Sequence, residues 1–434
     1  MMLTSIGYHT ATIFRRIRAN DAKRIYHAFR KYQDETKEIS MYVPNDENER
    51  IKSAKGLQST GIEVSTLPRK WRIEYRSVDR KGIIWTLKYF IYSRDFKEYI
   101  IEATINPKIL TGIIDYISAS NENYLGKLCE RFDEETSKIS DLLGTFWEYG
   151  LRRVDFCINF DLKELGIPCT PEQMMYLIKC GDRPHCYEEW MIRDKISHRK
   201  VSPKESLYLR SCSTNINCYH KHRQLIKEYP SCPNIEDSLH VIRFEIQCKY
   251  NKVYAMKHIL QKEATYDPFG STKQMLSDMT AKNMVEKYYN RIIGRGDYHT
   301  LKNAIETIES HGFMLEKEER LIDTLKMINQ YRGIAKARTK LDTKMRPLFN
   351  RSLRELESIG VNPATIPKSF GIKFIPNLLD TFNTMLAYDE SSDDSHIDPF
   401  ELLAKPFENI NNPNDFEYTV EPAESAQYQK ILSL

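Results

Sequence analysis

The sequence predicts an α+β fold. Two diverged β-α-β-β-β halves build an antiparallel sheet core, followed by a helical C-terminal region and an acidic disordered tail. Three observations carry that expectation. Short segments alternate apolar and polar residues with the two-residue period of a half-buried strand. Their order recurs between residues 1–130 and 131–270. After about residue 271 the apolar spacing changes to three and four, the helical period.

Residues 3–17 (LTSIGYHTATIFRRI) read as a strand, and 20–32 as a helix opened by Asn20-Asp21. Strands follow at 71–78, 83–92 and 99–105. The second half opens with a strand at 151–161. A helix then starts at Thr170-Pro171-Glu172-Gln173, with Thr170 as cap, Pro171 in the first turn and Gln173 closing a capping box. Gly181 is its stop. Strands follow at 205–212, 214–221 and 240–249. The closing strands of the halves match: Tyr99-Ile100-Ile101-Glu102-Ala103-Thr104-Ile105-Asn106 aligns with His240-Val241-Ile242-Arg243-Phe244-Glu245-Ile246-Gln247. Each runs into a helix-like stretch. The halves form one extended antiparallel sheet or two packed half-sheets. Thr104 stands where the second half has Glu245, so the first half is expected to be a scaffold without the acid. Helices are expected at 272–293, 299–310, 315–331 and 346–359. From Arg351 to Leu379 the chain could form a helix-turn-helix-like element or a plain helical hairpin. The expected domains are 1–130, 131–270, 271–388 and 389–434.

With 41% apolar and 11% aromatic residues, 434 residues suffice for two or three cores. No apolar run reaches membrane-spanning length. The N-terminus has no charged region followed by an apolar one, so no secretory signal is expected. Nine scattered cysteines without a Cys-x-x-Cys pair suit reduced thiols in a cytoplasm. Cys180, His185 and Cys186 lie close together, but no second pair gives them zinc spacing. From Asp389 onward eleven acids face two bases, net −9, so residues 1–388 carry 62 bases and 49 acids, net +13. A basic body suits a polyanion such as nucleic acid, and equally an ordinary solvated surface. The acidic tail could shield a basic groove or simply aid solubility.

The chemistry concentrates on three strands. In 152–161, Val154, Phe156, Ile158 and Phe160 oppose Arg153, Asp155, Cys157, Asn159 and Asp161. In 240–249, Ile242, Phe244, Ile246 and Cys248 oppose Arg243, Glu245, Gln247 and Lys249. One face is core and the other a polar floor. If the strands are neighbours, Asp155 and Glu245 converge, and two hard carboxylates could hold Mg²⁺ or Mn²⁺. Two surface ion pairs, Arg153–Asp155 and Arg243–Glu245, account for the same residues. Tyr219 ends the strand at 214–221 beside His220, Lys221 and His222. A phenol is about 0.1% ionised at pH 7, so a nucleophilic tyrosine needs a metal ion or a cation such as Lys221. Filling an amphipathic position is the plainer role for Tyr219. Tyr208 is the rival nucleophile. His220-Lys221-His222 has lysine in its centre, which suits contact with phosphate rather than a metal.

These residues carry a resemblance. The chain resembles the replication initiators typified by the filamentous-phage gene II protein, and the related plasmid rolling-circle initiators. Arg153-Val154-Asp155 resembles the family's Arg-apolar-Asp strand, with the helix at 171–180 following. Tyr219-His220-Lys221 resembles its Tyr-x-Lys element, with Leu225 after it. Arg243-Phe244-Glu245 resembles its Arg-Phe-Glu strand. Gly296-Asp297-Tyr298, Arg332-Gly333 and Val361-Asn362-Pro363-Ala364-Thr365-Ile366-Pro367 resemble C-terminal elements of relatives from Gram-positive hosts. The match spans roughly residues 99–380.

The resemblance implies a metal-dependent nicking–closing endonuclease that starts rolling-circle replication of a phage or plasmid. Tyr219 would be the nucleophile and Asp155 and Glu245 the ligands of Mg²⁺ or Mn²⁺. Lys221 would stabilise the phenolate or the crowded phosphate. Arg153 and Arg243 would steady the carboxylates or the DNA, and His220 and His222 would contact phosphate. Asn159 and Gln247 are candidates for a third ligand. The implied partners are double-stranded origin DNA, the displaced single strand, and a host helicase and polymerase. No membrane is expected, and a homodimer is possible. A relaxase of a mobile element and a non-catalytic origin-binding or regulatory protein are the alternatives.

Overall fold

The computed structural model describes residues 4–42, 69–77, 81–91, 97–113, 115–193, 200–263 and 270–391. The expected acidic tail falls outside the described residues from 392 onward, and residues 389–391 close the last helix.

Ten strands form a single antiparallel sheet. They are β1 (Ser5–Ile17), β2 (Ile39–Tyr42), β3 (Arg69–Ser77), β4 (Ile83–Ile91), β5 (Lys97–Ile105), β6 (Gly150–Asp161), β7 (Glu188–Glu189), β8 (Ser206–Arg210), β9 (Thr214–His220) and β10 (Val241–Cys248). Their order is β2-β3-β4-β5-β1-β6-β10-β9-β8-β7. One extended sheet, rather than two packed half-sheets, is what the chain forms. The join is the long β1–β6 pair, whose register slips at Tyr8/Thr10 and Thr12/Ile13.

Alternation decides what each sheet face meets. Ala11, Ile13, Val154, Phe156, Ile158, Ile242, Phe244 and Ile246 are fully buried on one face. Burying a side chain of this size contributes about 1.5–3 kcal/mol. The same hydrophobic cluster holds residues of α1 (Ala19–Thr36), α2 (Leu125–Ile139), α3 (Pro171–Cys180) and, past α4 (Lys221–Glu228), of α5 (Tyr250–Glu263) and α6 (Asp278–Ile292). Tyr289 of α6 stands edge-on to Phe160 and Phe244, with ring centroids 5.7 and 5.8 Å apart.

The predicted capping box of α3 is present: the Gln173 N–H donates to Thr170 Oγ1 at 3.3 Å and the Thr170 N–H to Gln173 Oε1 at 3.0 Å. The single helix expected at 272–293 is two, Gly270–Met275 and α6. Ser277 separates them, because its hydroxyl accepts the Thr280 N–H and caps α6.

In the C-terminal region α7 (Leu301–Ser310), α8 (Leu315–Tyr331) and α9 (Arg346–Ser358) share a smaller core of Ala304, Ile308, Leu321, Leu325 and Leu356. α10 (Leu378–Ser391) returns to the main core through Leu378, Leu379 and Phe382. Residues 359–377 form neither a helix-turn-helix nor a helical hairpin. They run as a strap: the Asp297 N–H donates to Gly360 O at 2.8 Å, and the Asn362 N–H to Asp297 O at 2.9 Å. A Cβ on Gly296 would lie 2.7 Å from the Gly360 carbonyl carbon, and its φ is +84°, so only glycine allows this approach. No helix among the described residues is long and apolar enough to cross a membrane.

Candidate active site

The other sheet face is polar, and register rather than sequence distance assembles it. Glu245 lies opposite Cys157 on β6 and Asn217 on β9. Asp155 lies opposite Gln247 on β10 and Thr10 on β1. The two carboxylates are therefore diagonal neighbours on adjacent strands. Tyr219 faces Arg243 across β9–β10, and Tyr208 faces Asn217 across β8–β9.

Glu245 is the hub. It accepts from the Tyr219 hydroxyl at 3.2 Å, from Asn217 Nδ2 at 3.2 Å and from Gln247 Nε2 at 2.8 Å. Arg153 clamps Asp155 with two parallel bonds of 2.7 and 2.6 Å, the strong fork geometry of a guanidinium on a carboxylate. Burial, and then the Glu245 charge, push the Asp155 carboxyl up to about 7 against the pull of Arg153. Two acids in one low-dielectric place resist double ionisation.

The cations lie deeper. Arg243 is wholly buried; its Nε donates to Asn159 Oδ1 at 2.8 Å and another of its nitrogens donates to the Ile117 carbonyl. Burial opposes its charge, but Cys157, Tyr219 and Glu245 outweigh that and hold the guanidinium above its ordinary value. Lys221 is the first residue of α4, not the last of the strand. Its ammonium donates to Gln224 Oε1 at 2.8 Å, and burial and then Arg243 push it well below its ordinary value. Burial, then Glu245, push the Tyr219 phenol well above its ordinary range. Tyr219 is 7% exposed, Glu245 6% and Asp155 2%, so the pair is reached along the half-buried strip of Tyr208, Asn215, Asn217, Gln247 and Arg153.

Asp155, Glu245, Arg153, Arg243, Tyr219 and Lys221 thus share one face of the sheet. His220 and His222 do not open onto it. Both are buried, with His220 Nε2 at 2.9 Å from the Leu239 carbonyl and His222 Nδ1 at 3.0 Å from that of Ile235. Sequence reasoning missed His9. It is the residue skipped by the register slip of β1, and its Nδ1 lies 2.9 Å from Thr10 Oγ1. Burial, and then Arg243, Lys221 and Arg153, push its imidazole well below its ordinary value. Alternation gives no signal for a residue at a bulge. Asn217, also missed, shows itself only through cross-strand register.

The hard oxygens of Asp155 and Glu245 match the donors a divalent Mg²⁺ or Mn²⁺ prefers, and the raised Asp155 carboxyl marks a charge that a cation would relieve. The third-ligand candidates are engaged already: Asn159 Oδ1 by Arg243 and Gln247 Oε1 by Asn215 Nδ2 at 3.1 Å. Among the described residues no group of three or more His, Cys, Asp or Glu side chains could hold a metal ion.

No family model and no curated protein matches the chain. A solved structure of a rolling-circle replication initiator protein from Geobacillus stearothermophilus is similar to it at TM-score 0.24 and 9% identity, with 60% of this chain and 80% of that one covered. A likeness that weak says nothing of activity.

Proposed function

We propose that this protein nicks one strand of a double-stranded origin through Tyr219, leaves a 5′-phosphotyrosine and a 3′-OH primer for rolling-circle replication, and reseals the strand. The observation that carries the reading is the Tyr219 hydroxyl seated on Glu245, with Asp155 diagonal to it and Arg153, Arg243 and Lys221 on the same floor. The phenolic oxygen attacks phosphorus and its proton passes to the Glu245 carboxylate. The bond from phosphorus to the 3′ oxygen breaks, and that oxygen leaves with the bond's electron pair and takes a proton from water to become the 3′-OH, while Glu245 returns its proton to the solvent. Religation runs the same steps backwards. Asp155 and Glu245 would hold Mg²⁺ or Mn²⁺, which would draw charge from a phosphoryl oxygen. Arg243, fixed through Asn159 and Ile117, keeps positive charge under the reacting tyrosine.

The strand order supports the reading of two halves. Outward from the β1–β6 join the sheet runs β5-β4-β3 on one side and β10-β9-β8 on the other. Thr10 lies opposite Asp155 across that join. Thr10 and Thr104 then take the places of Asp155 and Glu245 in a first half that serves as scaffold.

The test uses supercoiled plasmid carrying the element's own origin, with Mg²⁺ or Mn²⁺, a denaturing gel and peptide mass spectrometry. A covalent adduct on Tyr219 is expected. Glu245→Gln should slow nicking at least about 100-fold and leave origin binding intact; normal cleavage by that variant would sink the assignment. The burial of Tyr219 favours one second reading, in which half-buried Tyr208 is the nucleophile, and an adduct there would move the site while keeping the function. Binding without nicking would make the protein a non-catalytic origin binder. A relaxase would show the same adduct at a transfer origin instead.

A further inference from the structure

Two aromatic–cation posts stand on the polar face, one on each side of the carboxylates. On the outer side Trp190 meets Tyr208 edge-on at 5.6 Å, and the Arg210 guanidinium lies 5.5 Å over the Trp190 ring. The Trp190 backbone N–H donates to the Tyr208 carbonyl at 2.8 Å, which holds the main chain at Trp190 beside the edge strands β7 and β8. On the inner side Tyr250, at the start of α5, meets Phe14 edge-on at 6.0 Å. The Arg152 guanidinium lies 5.2 Å over Tyr250 and 5.7 Å over Phe14 while pairing with Glu102 at 3.0 Å. Phe14 is two residues from Thr12, which faces Arg153 across β1–β6, so this post shares the face of Asp155.

Register joins the outer post to the carboxylates, and Arg152 of the inner post precedes Asp155 by three residues on β6. Arg210 lies opposite Asn215, Asn215 opposite Gln247, and Gln247 opposite Asp155. The row crosses four strands, roughly 14 Å at ordinary strand spacing. Its middle members, Asn215 and Gln247, belong to the half-buried strip through which the carboxylates are reached. Trp190 is 37% exposed and Tyr250 38%. Exposed rings with cations over them, set either side of an acidic pair, are ill suited to a second acidic surface or to an apolar partner. They suit a chain of flat bases linked by phosphates.

We propose that the two posts hold a single DNA strand across the floor, one base stacked on Trp190 and one on Tyr250, with Arg210 and Arg152 beside the flanking phosphates. The inference names the form in which substrate lies at the site and rests on the nicking reading above. A strand laid this way passes its backbone over Gln247 and Asp155. Duplex DNA offers no unstacked base to either ring, so the surface selects the melted strand.

The test is fluorescence anisotropy of a labelled twelve-residue oligothymidylate with the full chain, without divalent ion so that no bond is cut. Trp190→Ala and Tyr250→Ala should each weaken binding about five- to 150-fold, the range for loss of one stacked base. Trp190→Phe and Tyr250→Phe keep a ring and should stay within about threefold of the parent, which separates stacking from misfolding. Tyr42→Ala removes an exposed ring under Arg76 on the far edge strand β2 and should change nothing. Unchanged affinity in both alanine variants would overturn the proposal. So would equal losses on duplex and single strand, or a Trp190→Ala effect confined to self-association in sedimentation. If the stacking losses appear in a protein that never nicks, the track stands and the nicking reading falls.

Discussion

Asp155 governs how the site responds to pH. Its folded carboxyl is raised from 3.8 to about 7. The folded chain therefore binds this proton more tightly than the unfolded chain. That stabilisation is complete below about pH 4 and is lost as pH climbs to 7. Asp155→Asn should flatten the fall, read as the urea midpoint between pH 4 and 8; an unchanged slope would place the titration elsewhere. Mg²⁺ or Mn²⁺ should raise the melting temperature at pH 8, above the Asp155 titration, and should not do so in Asp155→Asn. Both acids were legible from strand alternation alone, because the apolar residues flanking them choose their face. Their state was not, since burial and mutual repulsion are properties of the assembled sheet. His9 was illegible because a bulge takes it out of the period that sequence reading relies on.

At the scale of elements, the segment at 115–121 clamps the floor. Its Ile117 carbonyl accepts from Arg243 and from Asn159 Nδ2, the latter at 2.6 Å. Its own anchor is a bridge between Tyr8 and Ser120, with bonds of 2.9 and 3.0 Å. Gly7 makes room for that bridge: a Cβ there would stand 2.0 Å from the Ser120 carbonyl oxygen. Gly7→Ala should cost about 1–3 kcal/mol by urea denaturation and reduce nicking by loosening the Arg243 support. Gly126→Ala, in α2 with nothing within 4 Å of its Cβ, should be neutral or stabilising by about 0.5–1 kcal/mol. Equal losses in the two variants would dissolve the clamp. The long strands and helices α1, α3, α7, α8 and α9 were legible because period and caps are local, whereas α2 and the short edge strands β2 and β7 were not. The strap at 359–377 was not: its partners lie around Gly296 to Thr300, and no local rule names them.

Across the whole molecule, charge is divided between a described body and the remainder. Residues 392–434 carry nine acids and two bases, net −7, and residues 1–391 net +11. Removing 392–434, which leaves α10 whole, should raise affinity for nonspecific duplex DNA and steepen its salt dependence. Equal affinity with and without the segment would leave it a solubility device. The measurement is a salt series of binding titrations on an unrelated duplex.

By itself the sequence determined eight of the ten sheet strands, helices α1, α3, α7, α8 and α9, the two faces of β6 and β10, and the charged groups on the polar one, because period, capping and alternation are written in neighbouring residues. The tertiary structure decided that one ten-stranded sheet forms, that Glu245 meets the Tyr219 hydroxyl, that Lys221 opens a helix while the two histidines turn away from the polar floor, and that aromatic posts flank the acids. Those outcomes depend on register and on which strand lies beside which. Hydrogen bonds between segments a hundred residues apart fix both, and no window of sequence contains them.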